Sequence, residues 1–193
     1  MLAGITQRPA LLQSILGQAL LAYLLKKKKS IDYSQCSIVY GDWGKPYIVE
    51  KKEVQFNISH SGSWVACALG QKEVGLDVEQ VCPIKRGYTG FLLSPDEKRV
   101  LQKVGDLENG LFRLWVLKES YCKYTGKGLH LPFNTLYFYQ DQKGFWNLKT
   151  DETVFFREYS ISREYQMAAC SREVPPERIS MVDISELRRV LNL

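Results

Sequence analysis

Apolar residues dominate from Ala10 to Leu25, and Pro9 stands where a first helical turn tolerates proline, so the pattern predicts a helix from Pro9 to Leu25. Lys26 to Lys29 follow, either as a hold for phosphate or an acidic partner or as a solvated last turn whose cations suit the helix dipole. Short extended runs come next: Ser37–Tyr40, a turn at Gly41–Pro46, Tyr47–Val49 and Val54–Ser59. Trp64–Leu69 reads as a buried strand and Val74–Val78 as another by β-branching and alternation. Ser94-Pro95-Asp96-Glu97 opens a helical region with serine as N-cap and proline at the first helical position. A longer helix is predicted from about Asn109 to Tyr124, stopping before Gly126 and Gly128. Strands at Leu136–Tyr139, Phe145–Leu148, Val154–Ile161 and Tyr165–Cys170 then lead to a closing helix, Ile184–Leu191.

A faint repeat runs through this order at an offset near one hundred residues. Helix Leu11–Leu25, the Gly44–Tyr47 hairpin and strand Trp64–Cys67 recur as helix Leu111–Tyr124, the Lys143–Trp146 hairpin and strand Tyr165–Ala168. The expected fold is therefore α+β, a pseudo-dimer of two similar α+β lobes. Residues 1–71 form the N-terminal lobe and residues 72–193 the C-terminal lobe.

The 193 residues are 45% hydrophobic and 24% charged, a globular composition that rules out wholesale disorder. Lysine and arginine number 26 against 21 acidic residues, a net +5 that suits an acidic protein or a phosphate-bearing partner. Five widely spaced cysteines (Cys36, Cys67, Cys82, Cys122 and Cys170) include no C-x-x-C pair and read as free thiols in a reducing compartment. No secretory pattern opens the chain. Ala10–Leu25, broken by Gln13, Ser14 and Gln18, is too short to span a bilayer comfortably. A cytoplasmic protein away from membranes is expected.

Three segments carry candidate chemistry. In Val74-Gly75-Leu76-Asp77-Val78-Glu79, strand alternation puts Asp77 and Glu79 on one side, roughly 7 Å apart, with Leu76 and Val78 facing the core. Carboxylates so placed repel, and a hard divalent cation is an economical partner; an exposed acidic edge is the plain alternative. In Trp115-Val116-Leu117-Lys118-Glu119-Ser120-Tyr121-Cys122-Lys123, Glu119 and Lys123 are an i,i+4 pair opposite a stripe of Leu111, Leu114, Trp115 and Cys122. Glu119 suits a metal site or a base, and Lys118 and Lys123 suit phosphates, unless the helix is an ordinary salt-bridged surface. In Phe56-Asn57-Ile58-Ser59-His60-Ser61, a histidine among serines invites a hydrolase reading, but no G-x-S-x-G elbow supports it.

Taken in order with Gly44-Lys45-Pro46 and Gly126-Lys127-Gly128-Leu129, these segments resemble 4′-phosphopantetheinyl transferases of the surfactin-synthetase-activating type. The resemblance extends from the first helix nearly to the C-terminus. It implies an enzyme that moves the phosphopantetheine arm of coenzyme A to a serine of an acyl or peptidyl carrier protein, releasing adenosine 3′,5′-bisphosphate. It also implies an active site in the cleft between the lobes. By motif, Asp77, Glu79 and Glu119 match Mg²⁺-binding acids, and Lys118 and Lys123 match phosphate-contacting lysines. Lys45, Ser59 and His60 match positions lining the nucleotide and its 3′-phosphate. Glu119 is the candidate general base, directly or through a metal-bound water, with Lys123 assisting charge neutralisation.

The family carries some tens of residues ahead of its first helix, whereas this sequence begins almost at that helix, with Gln13 and Gln18 where basic residues are common. Weakened coenzyme A binding is one expectation from that departure. A non-catalytic coenzyme A or carrier-protein binding module of the same fold is the alternative, opposed by retention of all three acids and both lysines. A nucleic-acid binder is disfavoured because the aromatic residues fall at core-compatible positions. Two lobes in one chain point to a monomer. The helix after the acidic strand, with Lys98, Arg99 and Lys103 in the segment Pro83–Val104, is expected to dock an acidic carrier protein.

Overall fold

The computed structural model describes residues 8–83, 88–101 and 107–192. Helix α1 spans Arg8–Lys29, so the four lysines form its last turn rather than a loop beyond it. Two of them tie that turn to the C-terminal helix α5 (Ile184–Leu191): Lys26 donates to Val190 O and Lys27 pairs with Glu186 at 2.7 Å. The chain then forms β1 (Ile38–Tyr40), β2 (Pro46–Ile48), β3 (Gln55–Ser61), β4 (Trp64–Gly70) and β5 (Val74–Gln80). Helices α2 (Tyr88–Leu92), α3 (Pro95–Leu101) and α4 (Leu107–Thr125) follow. Strands β6 (Phe138–Gln140), β7 (Trp146–Leu148), β8 (Phe155–Ser162) and β9 (Tyr165–Ser171) lead to α5. The fold is α+β, as expected.

The repeat is sharper in space than in sequence. Hairpin β1–β2 pairs Ile38 with Ile48 and Tyr40 with Pro46, and β6–β7 pairs Phe138 with Leu148 and Gln140 with Trp146, an offset of 138 − 38 = 100 residues. Both hairpins turn through a glycine at φ +81°, Gly44 and Gly144, a conformation that residues with a Cβ rarely adopt. A 3₁₀ turn stands immediately before each, Tyr33–Gln35 and Phe133–Thr135. The second delays the strand expected from Leu136, which begins at Phe138, since the Leu136 N–H caps the turn on Phe133 O.

The two halves differ in their sheets. β3 and β4 pair as an antiparallel two-stranded sheet, whereas β8, β9 and β5 form three antiparallel strands with β9 in the centre. β4 is half-buried along its whole length, so the expectation of a buried strand at Trp64–Leu69 is corrected. β5 is buried from Val74 to Val78 because α4 and β9 cover it. Gly75 explains how closely: a Cβ there would stand 1.8 Å from Ser120 O, so the α4 backbone rests directly on the strand. Ser94 and Glu97 form a reciprocal cap at the start of α3, as the S-P-D-E pattern predicts.

Candidate active site where β3, β5 and α4 meet

On β5 the alternation holds, with Leu76 and Val78 in the core and Asp77 and Glu79 on the other face. Asp77 is itself only 2% exposed, because α4 lies over it. Its Oδ1 accepts hydrogen bonds from Lys123 Nζ at 2.6 Å and Ser59 Oγ at 2.9 Å, while its Oδ2 is buried with no partner. Burial pushes the Asp77 carboxyl above the usual range, against the opposing pull of Lys123 and Ser59. Glu79 is raised by burial and then by the Asp77 charge; its Oε2 accepts from Ser61 Oγ at 2.9 Å. Glu119 is pushed up to about 7, first by burial and then by Asp77, with Glu79 adding and Lys123 opposing. The three acids therefore share one electrostatic neighbourhood with Lys123.

Lys123 does not pair with Glu119 along the helix as the i,i+4 spacing predicts; it reaches down to Asp77 and Ser59. With Lys123 on Asp77, no group of three or more His, Cys, Asp or Glu side chains among the described residues is arranged to hold a metal ion. By its chemistry the donor set is one that a hard cation would take. It offers three carboxyl groups, each raised by burial, and a buried carboxylate oxygen left without a partner.

Lys118, expected to contact phosphate, is engaged within the core. At 100° per residue, Lys118 lies 100° from Glu119 and 140° from Lys123 around the helix, and it points inward. It is fully buried, and its ammonium donates to Glu97 Oε2 at 2.5 Å, Leu92 O at 2.8 Å and Phe133 O at 2.9 Å, which uses all three protons. The Ser59 hydroxyl, expected to line the nucleotide, is engaged within the protein. That group donates to Asp77 and accepts from Lys123 and from Val78 N–H at 3.3 Å, filling its capacity.

His60 is exposed and, by strand alternation, faces away from Ser59 and Ser61, so the three do not form a hydrolase relay. Lys45 reaches the end of α4, where its Nζ donates to Tyr124 O at 2.6 Å; burial lowers its pKa. Its stem passes over Gly126, and neither Lys45 nor His60 bonds to the acids. Lys103 lies outside the described residues; Lys98 is half-buried on α3, and Arg99 is exposed beside Asp96 at 3.2 Å.

Ser61 and Glu97 are the polar residues that the motif reading missed. Period-two spacing along Asn57-Ile58-Ser59-His60-Ser61 was a legible sign that Ser61 shares a face with Ser59. Nothing in the sequence paired Glu97 with Lys118. A cavity of about 1050 Å³ lies between α1, β4 and the segment around 174–187. It is lined by Leu76 and Val78, so it opens on the side of β5 opposite the acids and is no part of this site.

A buried carboxylate with an unpaired oxygen, two companion acids and an ammonium in hydrogen-bond reach is equipment for phosphoryl transfer, where positioning and charge neutralisation do most of the work. Comparison with known proteins carries this further. Residues 73–170 match the 4′-phosphopantetheinyl transferase superfamily, and residues 7–72 match the N-terminal region of 4′-phosphopantetheinyl transferase. The 4′-phosphopantetheinyl transferase Sfp of Bacillus subtilis is 32% identical over 181 residues, covering 91% of this chain and 81% of that one. A 4′-phosphopantetheinyl transferase of Aneurinibacillus migulanus is 29% identical over 163 residues, covering 82% and 68%. Among solved structures, the holo-[acyl-carrier-protein] synthase of Neisseria meningitidis aligns at a TM-score of 0.48 and 17% identity, over 52% of this chain and 97% of that one.

The chain belongs to the 4′-phosphopantetheinyl transferase superfamily. It is an Sfp-like enzyme of that class, transferring 4′-phosphopantetheinyl groups.

Proposed function

We propose that the enzyme takes the 4′-phosphopantetheine arm from coenzyme A and places it on a serine hydroxyl of an acyl or peptidyl carrier protein. The reaction would run in a cleft between a lobe of residues 1–71 and a lobe of residues 72–193. The observation that carries this reading is Asp77, buried beneath α4 with Oδ2 unpartnered and Lys123 at 2.6 Å. The element repeat at 100 residues supports the two lobes and a monomer. No helix among the described residues is long and apolar enough to cross a membrane, and the five free cysteines agree with a cytoplasmic setting.

Asp77, Glu79 and Glu119 would hold Mg²⁺, which when bound supplies neutralisation of charge on the pyrophosphate oxygens. Lys123 meets the phosphate from the same face of α4 as Glu119, and its bond to Asp77 holds the ammonium in place beforehand. The carrier serine oxygen attacks the phosphorus on the pantetheine side. The bond from that phosphorus to the bridging oxygen breaks, and adenosine 3′,5′-bisphosphate leaves. Glu119 takes the serine proton, directly or through a water. Lys45 and His60, outside the acid cluster, are assigned to the nucleotide and its 3′-phosphate.

Mass spectrometry of an apo carrier protein incubated with enzyme, coenzyme A and Mg²⁺ tests the proposal. The carrier should gain the arm with wild-type enzyme and not with Asp77→Asn. Failure of the wild type on both acyl and peptidyl carriers, or full activity of Asp77→Asn, would refute it.

A further inference from the structure

β3 and β5 share no backbone ladder, yet they are stitched together by side chains at every second residue. Asn57 Oδ1 accepts from Leu76 N–H at 2.9 Å, Ser59 Oγ from Val78 N–H at 3.3 Å, and Ser61 Oγ from Gln80 N–H at 3.1 Å. The two hydroxyls then donate their single protons to the carboxylate one residue earlier on β5. Ser59 donates to Asp77 and Ser61 to Glu79, each at 2.9 Å. Accepting from a fixed backbone N–H takes up one side of each hydroxyl and leaves its proton to the carboxylate beside it.

Glu79 needs this most. Its charge repels that of Asp77, and its side chain is half-buried at the end of β5, free to swing to solvent unless held. Asp77 has Lys123 as well as Ser59, whereas among the described residues Ser61 alone donates to the Glu79 carboxylate.

We infer that Ser61 is a positioning residue that aims Glu79 at the cation site. Ser59 does the same for Asp77, so that the Asn-x-Ser-x-Ser spacing of β3 presets the acid pair of β5. This rests on the transferase reading above. Ser61 acts through Glu79 and touches no reacting atom.

The test compares Ser61→Ala with Ser61→Thr, which keeps the hydroxyl. Mg²⁺ is titrated calorimetrically into each protein with coenzyme A present and carrier absent, so nothing turns over. Residues that orient metal ligands are worth roughly 10-fold or more in affinity. Ser61→Ala should weaken Mg²⁺ binding by about that factor, and Ser61→Thr should recover most of it. In turnover at limiting Mg²⁺, kcat of the alanine variant should fall by a similar factor, KM for coenzyme A should hold, and saturating Mg²⁺ should restore the rate. Unchanged Mg²⁺ affinity in Ser61→Ala overturns the inference. So does equal loss in both variants, which would mean packing rather than the hydroxyl, and so does a wild type that binds no Mg²⁺. A wild type that binds Mg²⁺ but modifies no carrier refutes the transferase reading alone and leaves the comparison of affinities readable.

Discussion

Replacing Lys118 by methionine separates the two roles that its motif and its structure assign to it. Methionine keeps the volume of the side chain but removes the charge and three donors. The change leaves the Glu97 carboxylate, 2% exposed, without its counter-charge, and strips the carbonyls of Leu92 and Phe133 of a donor. Glu97 retains N–H bonds from Ser94 and Phe138, which softens but does not remove the penalty. Breaking a buried ion pair from one side costs about 3–5 kcal/mol. That is a large share of a typical domain's roughly 5–15 kcal/mol. At about 2–4 °C per kcal/mol for a chain of this length, the melting temperature should fall by roughly 6–20 °C. Urea denaturation and calorimetry would measure this, with Glu97→Gln and the double variant completing a cycle. The double variant should cost less than the sum of the singles, because removing both charges leaves neither stranded. Below the melting range, the folded fraction of Lys118→Met should keep KM for coenzyme A close to wild type. A variant as stable as wild type with a many-fold raised KM would refute the structural assignment and restore Lys118 to the phosphate.

Two further outcomes are expected. Glu119, ordinarily near 4.5 and raised to about 7 here, holds its proton more tightly in the native state than in the unfolded chain. Native stability without metal should therefore fall as pH rises between about 4.5 and about 7 and level off above; Asp77 and Glu79, also raised, act in the same sense. Denaturant melts across that window should show a shallower slope for Glu119→Gln, and a wild-type stability that climbs with pH there would contradict the assignment. On α3, reversing Lys98 and Arg99 to glutamate should slow association with an acidic carrier protein by about tenfold at low salt and converge on wild type at high salt. An unchanged low-salt rate would remove α3 from the docking surface.

Much of this molecule was legible in its residues, because local rules sufficed. Period two along Val74–Glu79 sorted Leu76 and Val78 inward from Asp77 and Glu79, and Ser94-Pro95-Asp96-Glu97 announced a helix start. The ordered motifs reached the family before any coordinates did. What local rules could not supply was how deeply each polar group is covered. Lys118 and Glu119 are neighbours in one motif, yet a 100° rotation sends one into the core with Glu97, twenty-one residues earlier, and the other toward Asp77. Ser59 and His60 are neighbours too, and strand alternation sends them to opposite faces. The i,i+4 spacing of Glu119 and Lys123 promised a pair, but Asp77 is buried under the same helix face and offers Lys123 a partner in a drier place. β4 has the same apolar look as β9. It stays half-buried because it lines the cavity beside α1, whereas α4 packs over β9. Sequence periodicity determines which side of an element a residue occupies; the packing of elements distant in the chain decides what stands on that side, and so which charges are paired, buried or left available for chemistry.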